Sequence, residues 1–281
     1  MPHLRCARVV LQEPLAEHTY RLRLECPEIA RQIRPGQFVM LRLPGCNDPL
    51  LGRPFALYDT LLDQHEQPWG LDIVYLVVGH MTGRLCSLGS GSHLEIWGPL
   101  GQPFPNFDDT EQVVLVAGGI GQTPFPAYTR YLLGHRGYGG DAPQRRVSKV
   151  LLYYGVRSAA RVAGLSDLQA AGAEVFLASE DGSVGWHGTV VDRLAREKPD
   201  GPLLGCGPEP MLQALARLAA QWQRPCFVSL ETPMACGIGA CFSCVTRIRT
   251  DTEQGWDYRR VCVEGPTFEA SRWYDAEESP R

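Results

Sequence analysis

Three cysteines fall within one short stretch, Cys236-Gly-Ile-Gly-Ala-Cys241-Phe-Ser-Cys244, and a fourth, Cys262, follows after a longer gap. This C-x4-C-x2-C…C spacing is that of a plant-type [2Fe–2S] cluster. Two tetrahedral irons that share two bridging sulfides take two cysteines apiece, so four thiolates must be brought together. Gly237 and Gly239 suit a loop that folds tightly, because glycine accepts positive φ and lets backbone N–H groups approach the sulfurs. Such hydrogen bonds help set a reduction potential. A structural zinc site is the alternative, but zinc sites usually show two short cysteine pairs. Here three cysteines share one small-residue loop and the fourth stands apart. A disulfide framework fits less well, because the chain is long and carries no secretory signal pattern.

The sequence has 281 residues, room for about two domains. A formal net charge of −4 argues against nucleic acid as a partner. No apolar run approaches the roughly 18–20 residues a membrane helix needs, so no membrane is expected and a reducing cytoplasm is the expected setting. Of the remaining cysteines, Cys6, Cys26, Cys46, Cys86, Cys206 and Cys226, most are expected to be small buried side chains. The 30 glycines and 22 prolines imply many turns, hence abundant β-structure.

Residues 4–11 and 18–25 read as strands. Thr19-Tyr-Arg-Leu-Arg-Leu24 alternates apolar and charged residues with period two. Gln37–Leu43, Asp72–Val78 and His93–Trp97 continue the pattern between Gly/Pro turns, which predicts a compact antiparallel barrel. Two places in it carry chemistry: Arg53-Pro54-Phe55-Ala56-Leu57-Tyr58 and the turn Gly79-His-Met-Thr82-Gly83-Arg84. A flavin dinucleotide pairs a flat apolar ring with a doubly charged pyrophosphate, and an arginine plus turn N–H groups suits the latter. An edge-strand arginine and an ordinary turn are the alternative. Gly98-Pro-Leu-Gly-Gln-Pro-Phe-Pro105 is dense in turn residues and places the domain boundary at about 103–110.

Gln112-Val-Val-Leu-Val-Ala117 is a continuous apolar run, as expected of a buried parallel strand. It enters Gly118-Gly119-Ile120-Gly121-Gln122-Thr123-Pro124 and then a helix to about Leu133, with Thr123 as N-cap and Pro124 as first helical residue. Strand, glycine turn and helix start together offer N–H groups to a phosphate. Pro124 stands where G-x-G-x-x-G has its third glycine, so this is not the ordinary dehydrogenase fingerprint. Lys149–Gly155, Glu174–Ala178 and Pro202–Cys206 are further buried strands, each ending in small or polar residues. Cys206 and Gly207 would bring a thiol and bare backbone close to a flat ring. The stretch from Gly134 to Arg146 reads as a solvated surface loop.

Taken in order, these motifs resemble the ferredoxin-reductase superfamily with a C-terminal cluster domain. Ser229-Leu-Glu231-Thr-Pro-Met-Ala followed by the cysteine loop, with Val261-Cys262-Val-Glu-Gly-Pro266, resembles the electron-transfer subunit of NAD-dependent dihydroorotate dehydrogenase. The resemblance spans essentially the whole chain. It implies an N-terminal antiparallel β-barrel for FAD (1–105), a central parallel α/β domain for NAD (106–224) and a small [2Fe–2S] domain (225–281). It also implies that Arg53, Pro54, Phe55 and Ala56 match the FAD-binding R-P-x-S segment, that Val74, Tyr75 and Leu76 match the strand after the flavin, and that Met81, Thr82 and Gly83 match the turn at the pyrophosphate. Gly118, Gly119, Gly121, Thr123, Cys206 and Gly207 fall to the nicotinamide nucleotide. Cys236, Cys241, Cys244 and Cys262 match the cluster ligands. Ala56 departs from the family's usual serine, whose hydroxyl would lie near the flavin edge that receives hydride. Glu231 is expected to supply a polar contact there instead, and Cys206 and Glu231 are the candidates for a direct chemical role.

Hydride carries two electrons and an iron–sulfur cluster takes one, so a flavin between them suits the traffic. The resemblance implies a partner, the FMN-containing catalytic subunit that oxidises dihydroorotate in pyrimidine biosynthesis, and no orotate formation by this chain alone. A partner surface is expected near the cluster, with Phe242 its exposed apolar residue. Related subunits serve ferredoxin–NADP reductase, sulfide dehydrogenase, hydrogenase and sulfite reductase complexes, and a non-catalytic redox sensor is a further alternative. Arg157 and Ser158 follow a strand and leave NADH against NADPH open.

Overall fold

The computed structural model describes residues 3–45 and 47–273. The first hundred residues form a seven-stranded antiparallel sheet in the order β4-β3-β7-β1-β2-β6-β5. Its strands are β1 (His3–Ala16), β2 (Thr19–Glu25), β3 (Phe38–Arg42), β4 (Arg53–Ala56), β5 (Asp59–Leu62), β6 (Pro68–Leu76) and β7 (His93–Leu100). The short helices α1 (Pro27–Ala30) and α2 (His80–Leu85) are set between them. Period-two alternation works as expected along β2, where Leu22 and Leu24 are buried and Arg21 and Arg23 are directed to the other face. The sheet curls around its own core, and edge strand β4 meets β6 through an edge-to-face contact of Phe55 with Tyr75, centroids 5.8 Å apart. The segment Gly79–Arg84 is more than a turn: His80 opens α2, and the Thr82 hydroxyl accepts from the N–H groups of Val78 and Gly79.

A second seven-stranded sheet has the order β11-β10-β9-β8-β12-β13-β16 and is parallel except for its last strand. It comprises β8 (Gln112–Gly118), β9 (Lys149–Val156), β10 (Glu174–Ser179), β11 (Trp186–His187), β12 (Leu203–Cys206), β13 (Cys226–Ser229) and β16 (Thr267–Glu269). Helices α3 (Phe125–Leu132), α4 (Leu165–Ala171), α5 (Val190–Glu197) and α6 (Glu209–Trp222) cover both faces. The apolar run of β8 is what such a doubly covered strand requires. Val114 and Val116 pack towards α5 and α6, and Val113, Leu115 and Ala117 pack towards α3 and α4. A hairpin, β14 (Val245–Arg249) and β15 (Trp256–Arg260), stands between β13 and β16.

Three expectations are corrected. Helix α3 starts one residue late: Pro124, not Thr123, is the N-cap, because Gly119–Gln122 tightens into a 3-10 turn and the Thr123 N–H bonds Ile120 O. The stretch after Gly134 is not a solvated loop. Tyr138 is buried in the barrel's core and donates to Asp59 at 2.7 Å, Arg136 pairs Asp59 at 2.9 Å, and Asp141 takes Arg34 at 3.1 Å. Among the other cysteines, Cys26 and Cys226 are buried, Cys6 is exposed, Cys86 and Cys206 are half-buried, and Cys46 lies outside the described residues.

Further ion pairs fasten the barrel to the parallel sheet's helices. Arg21 meets Asp167, which also accepts from the Tyr58 hydroxyl at 2.6 Å; Arg161 meets Glu17 at 2.7 Å. Burial gives the fold an alkaline limit. It pushes the Cys226 thiol up to about 12 and the Tyr128 and Tyr138 phenols well above their ordinary range. Above the ordinary values of about 8.5 for cysteine and 10 for tyrosine, the unfolded chain binds fewer protons than the folded one, so stability falls as pH rises. The melting midpoint should hold between about pH 7 and 8.5 and decline towards about pH 11; a midpoint that climbs over that range would contradict the assignment.

Candidate functional site

In the second sheet, β8 is the first strand. Strands β9 and β10 extend from one side of it, and β12 and β13 from the other. The order therefore reverses between β8 and β12, and the crevice beyond the carboxyl ends of strands at such a point is where open α/β sheets hold ligands. The crevice is floored by backbone. A Cβ on Gly121 would stand 2.2 Å from the Cys206 carbonyl oxygen, and one on Gly207 would stand 2.9 Å from the Gly118 nitrogen. Glycine at these places lets the two strand ends meet and leaves the surface above them flat.

The crevice opens into a cleft of about 930 Å³ between the two sheets. Its barrel wall is Arg53, Pro54, Phe55 and Ala56 on β4, Val74, Tyr75 and Leu76 on β6, and Met81 and Thr82 on α2. Its other wall is Gly118, Gly119, Gly121 and Thr123 after β8, with Cys206 and Gly207 after β12 and Glu231 after β13. Residues read from three distant stretches thus share one cavity, and only Gly83 of these groups is absent from its lining. Two of them have other duties. The Thr82 hydroxyl is spent on ordering its own turn, and the Arg53 guanidinium donates to the Leu51 and Gly52 carbonyls at 3.0 and 3.1 Å.

Arg157, marked in the sequence after a strand, lines the cleft beyond β9, whereas several lining residues carried no signal in the sequence. His18 sits at the β1–β2 hairpin tip with φ 55°, Arg161 follows β9, and Met234 precedes the cysteine loop. Only the hairpin's position could have pointed to His18. The cationic side chains Arg53, Arg157 and Arg161 give the cleft the sign an anionic dinucleotide needs. Burial pushes the Cys206 thiol up to about 12, with the Glu231 carboxylate raising it further and the Ser229 hydroxyl opposing, so this thiol stays protonated at neutral pH.

The cysteine loop lies against the other face of β3 and β7. Cys244 and Cys262 are each 2% exposed, whereas Cys241 is at the surface. The thiols act on one another: Cys236 on Cys241, and both Cys244 and Cys236 on Cys262. Among the described residues no three His, Cys, Asp or Glu side chains converge as a single metal ion requires. Backbone N–H groups are aimed at sulfur: Ile238 at Cys236 Sγ, 3.4 Å, and Gly239 at Cys262. The Ser243 hydroxyl lies 3.2 Å from Cys241 Sγ, and hydrogen bonds from Ser243 and Cys236 hold that thiol down to about 6. Gly237 and Gly239 have φ of 72° and 81°, the left-handed region that favours glycine. Arg260 clamps the loop: it pairs with Glu264, donates to the Gly239 carbonyl at 3.2 Å and lies 5.1 Å over the ring of Phe242. Phe242 is 60% exposed at φ 56°.

An antiparallel barrel, a parallel sheet with its ligand crevice facing it and a cysteine loop behind together define a ferredoxin-reductase-like fold. The solved structure of an NADH-dependent reduced ferredoxin–NADP oxidoreductase, described for flavin-based electron bifurcation, matches it with a TM-score of 0.78 over 96% of this chain and 91% of that one, at 24% identity. The family model for the iron–sulfur cluster binding domain of dihydroorotate dehydrogenase B matches residues 231–273. Over 263 residues the chain is 36% identical to the electron transfer subunit of dihydroorotate dehydrogenase B (NAD(+)) of Shouchella clausii (strain KSM-K16), covering 92% of this chain and 94% of that protein. The corresponding subunit of Geobacillus thermodenitrificans (strain NG80-2) is 35% identical over 93% of this chain and 95% of its own length. The chain belongs to the family of dihydroorotate dehydrogenase B (NAD(+)) electron transfer subunits.

Proposed function

We propose that this chain carries electrons between NAD(H) and a separate, FMN-containing dihydroorotate-oxidising subunit in pyrimidine biosynthesis, with FAD in the cleft and a [2Fe–2S] cluster in the cysteine loop. The observation that carries the reading is the cysteine loop: Cys236, Cys241, Cys244 and Cys262 stand in plant-type spacing, the Ile238 N–H is aimed at Cys236 Sγ, and the segment lies within residues 231–273 that the iron–sulfur family model matches. When bound, the flavin supplies the exchange between paired and single electrons that a nicotinamide and an iron–sulfur cluster cannot make directly.

The chain's own residues bind and orient. Pro54 and Ala56 on β4 and Val74 to Leu76 on β6 offer an apolar wall to a flat ring, and Ala56, unlike a serine, gives that wall no hydroxyl. The first turn of α2, with the imidazoles of His18 and His80 beside it, suits the pyrophosphate end. Gly118, Gly119, Gly121 and Thr123 after β8 suit the phosphates of the pyridine nucleotide, and Cys206 and Gly207 meet that turn from the end of β12. Glu231 places a carboxylate in the cleft beside Cys206. Among the described residues no helix is long and apolar enough to cross a membrane. The exposed ring of Phe242, next to Cys241, offers the partner an apolar contact at the cluster.

Anaerobic purification and mixing with NADH tests the reading. The preparation should be coloured, hold one FAD and about two irons per chain, and lose its flavin absorbance rapidly on adding NADH. It should not oxidise dihydroorotate until the catalytic subunit is added. Colourless protein with zinc as its metal would overturn the assignment. A flavin that NADH reduces slowly, beside an intact cluster, would point to a sensor.

A further inference from the structure

Strand β7 carries a bulge opposite β3. Phe38 pairs with Leu100 and Met40 pairs with Trp97, so Gly98 and Pro99 together oppose Val39. In a regular strand, Trp97 and Leu100 would point to opposite faces; the extra residue re-aims them. Both join Phe38 and Met40 on the face turned away from the barrel's own core, while Val39, Leu41 and Ile96 stay inside it. The cysteine loop is laid on that outer face. A Cβ on Gly237 would stand 2.7 Å from Met40 Cγ and 3.0 Å from Leu100 Cδ1. There the Trp97 Nε1–H donates to the carbonyl of Cys236 at 2.9 Å. Gly52, one residue before β4, backs the indole: a Cβ there would stand 2.6 Å from Trp97 Cη2. The ring is thus held between the start of the cleft-lining strand and the backbone of the first cysteine.

We propose that Trp97 is a positioning residue for the cluster: its indole N–H fixes the Cys236 peptide and raises the cluster's reduction potential. This rests on the cluster reading above. The N–H presents the positive end of a bond dipole to the peptide that carries a ligand, which favours the added electron, and it satisfies a carbonyl on a loop whose Ile238 and Gly239 N–H groups face sulfur. A residue that merely filled space beneath the loop would need only its ring.

The comparison is between Trp97→Phe, which keeps an aromatic ring without a donor, and Trp97→His, which keeps a ring N–H donor with less ring, in the full chain at about pH 8, where histidine is neutral. Two readouts are followed: the cluster's midpoint potential by EPR-monitored titration, and iron release to a ferrous chelator. Trp97→Phe should titrate at a lower potential and release iron about five-fold faster, the worth of one neutral hydrogen bond. Trp97→His should stay closer to the unmodified chain in both. Equal displacement of the two variants, or a Trp97→Phe protein indistinguishable from the unmodified one, would overturn the proposal. Should Trp97→Phe be recovered without flavin, benzothienylalanine placed at position 97, which replaces N–H by sulfur in a ring of the same shape, makes the same comparison. An iron-free unmodified chain would instead refute the cluster reading, before any variant is compared.

Discussion

Gly121→Ala is expected to abolish rapid reduction of the bound flavin by NADH. The new Cβ would stand 2.2 Å from the Cys206 carbonyl oxygen, 2.5 Å from its carbon and 2.7 Å from Gly207 Cα. All three atoms are backbone, so no side chain can swing aside. Relief comes only by parting the turn after β8 from the end of β12, which deforms the floor of the crevice. Overpacking of this kind costs about 1–3 kcal/mol or more, equivalent to a fall in melting temperature of roughly 2–10 °C for a chain of this size. Stopped-flow spectroscopy and calorimetry read the two effects separately. Gly89→Ala is the control: nothing lies within 4 Å of a Cβ there, and the residue does not line the cleft. An unchanged reduction rate in Gly121→Ala would remove the crevice from the nucleotide's path.

Cys262→Ala should strip the cluster and spare the flavin. Cys262 is 2% exposed and faces Cys244, and alanine leaves no donor atom where its sulfur stood. Iron should drop from about two per chain to well below one, while FAD content and its bleaching by NADH persist, because no cysteine of the loop lines the cleft. Cys226→Ser, on β13, should keep its iron. If Cys262→Ala retained a full complement, a different fourth ligand would have to be sought.

The elements that could be read from the chain are those whose own residues decide them. Thr19–Leu24 announces its two faces by alternation, and Gln112–Ala117 announces burial on both sides by an unbroken apolar run. What escaped was decided by neighbours. Cys226–Ser229 has only four residues and no distinctive pattern, and it becomes a strand because β12 offers an unpaired edge. Tyr138 looked like part of a polar stretch, and only the barrel's core and Asp59 draw it inside. Thr123 and Pro124 slipped by one position because a 3-10 turn used up the glycines first.

The candidate site divides in the same way. The cysteine loop is a local motif and was legible as such. The segments around Arg53, Gly118 and Cys206 could each be marked, but their meeting in one cavity depends on strand order, which no single stretch encodes. His18, Arg161 and Met234 reach the cleft from a hairpin tip, a short turn and a loop, and their types say nothing of it. Trp97 is the sharpest case: its aim depends on one extra residue in a strand opposite Val39.

Strands β13 and β16 grip the cysteine segment from both ends, pairing Phe227 with Glu269 and Ser229 with Thr267. The metal-binding stretch is therefore stitched into the hem of the parallel sheet and does not hang from it as a pendant. Clipping the chain before Cys226 would unravel that hem, leaving β12 with a raw border where β13 had been. A shortened version meant to keep only the flavin half should accordingly be prone to clumping edge to edge.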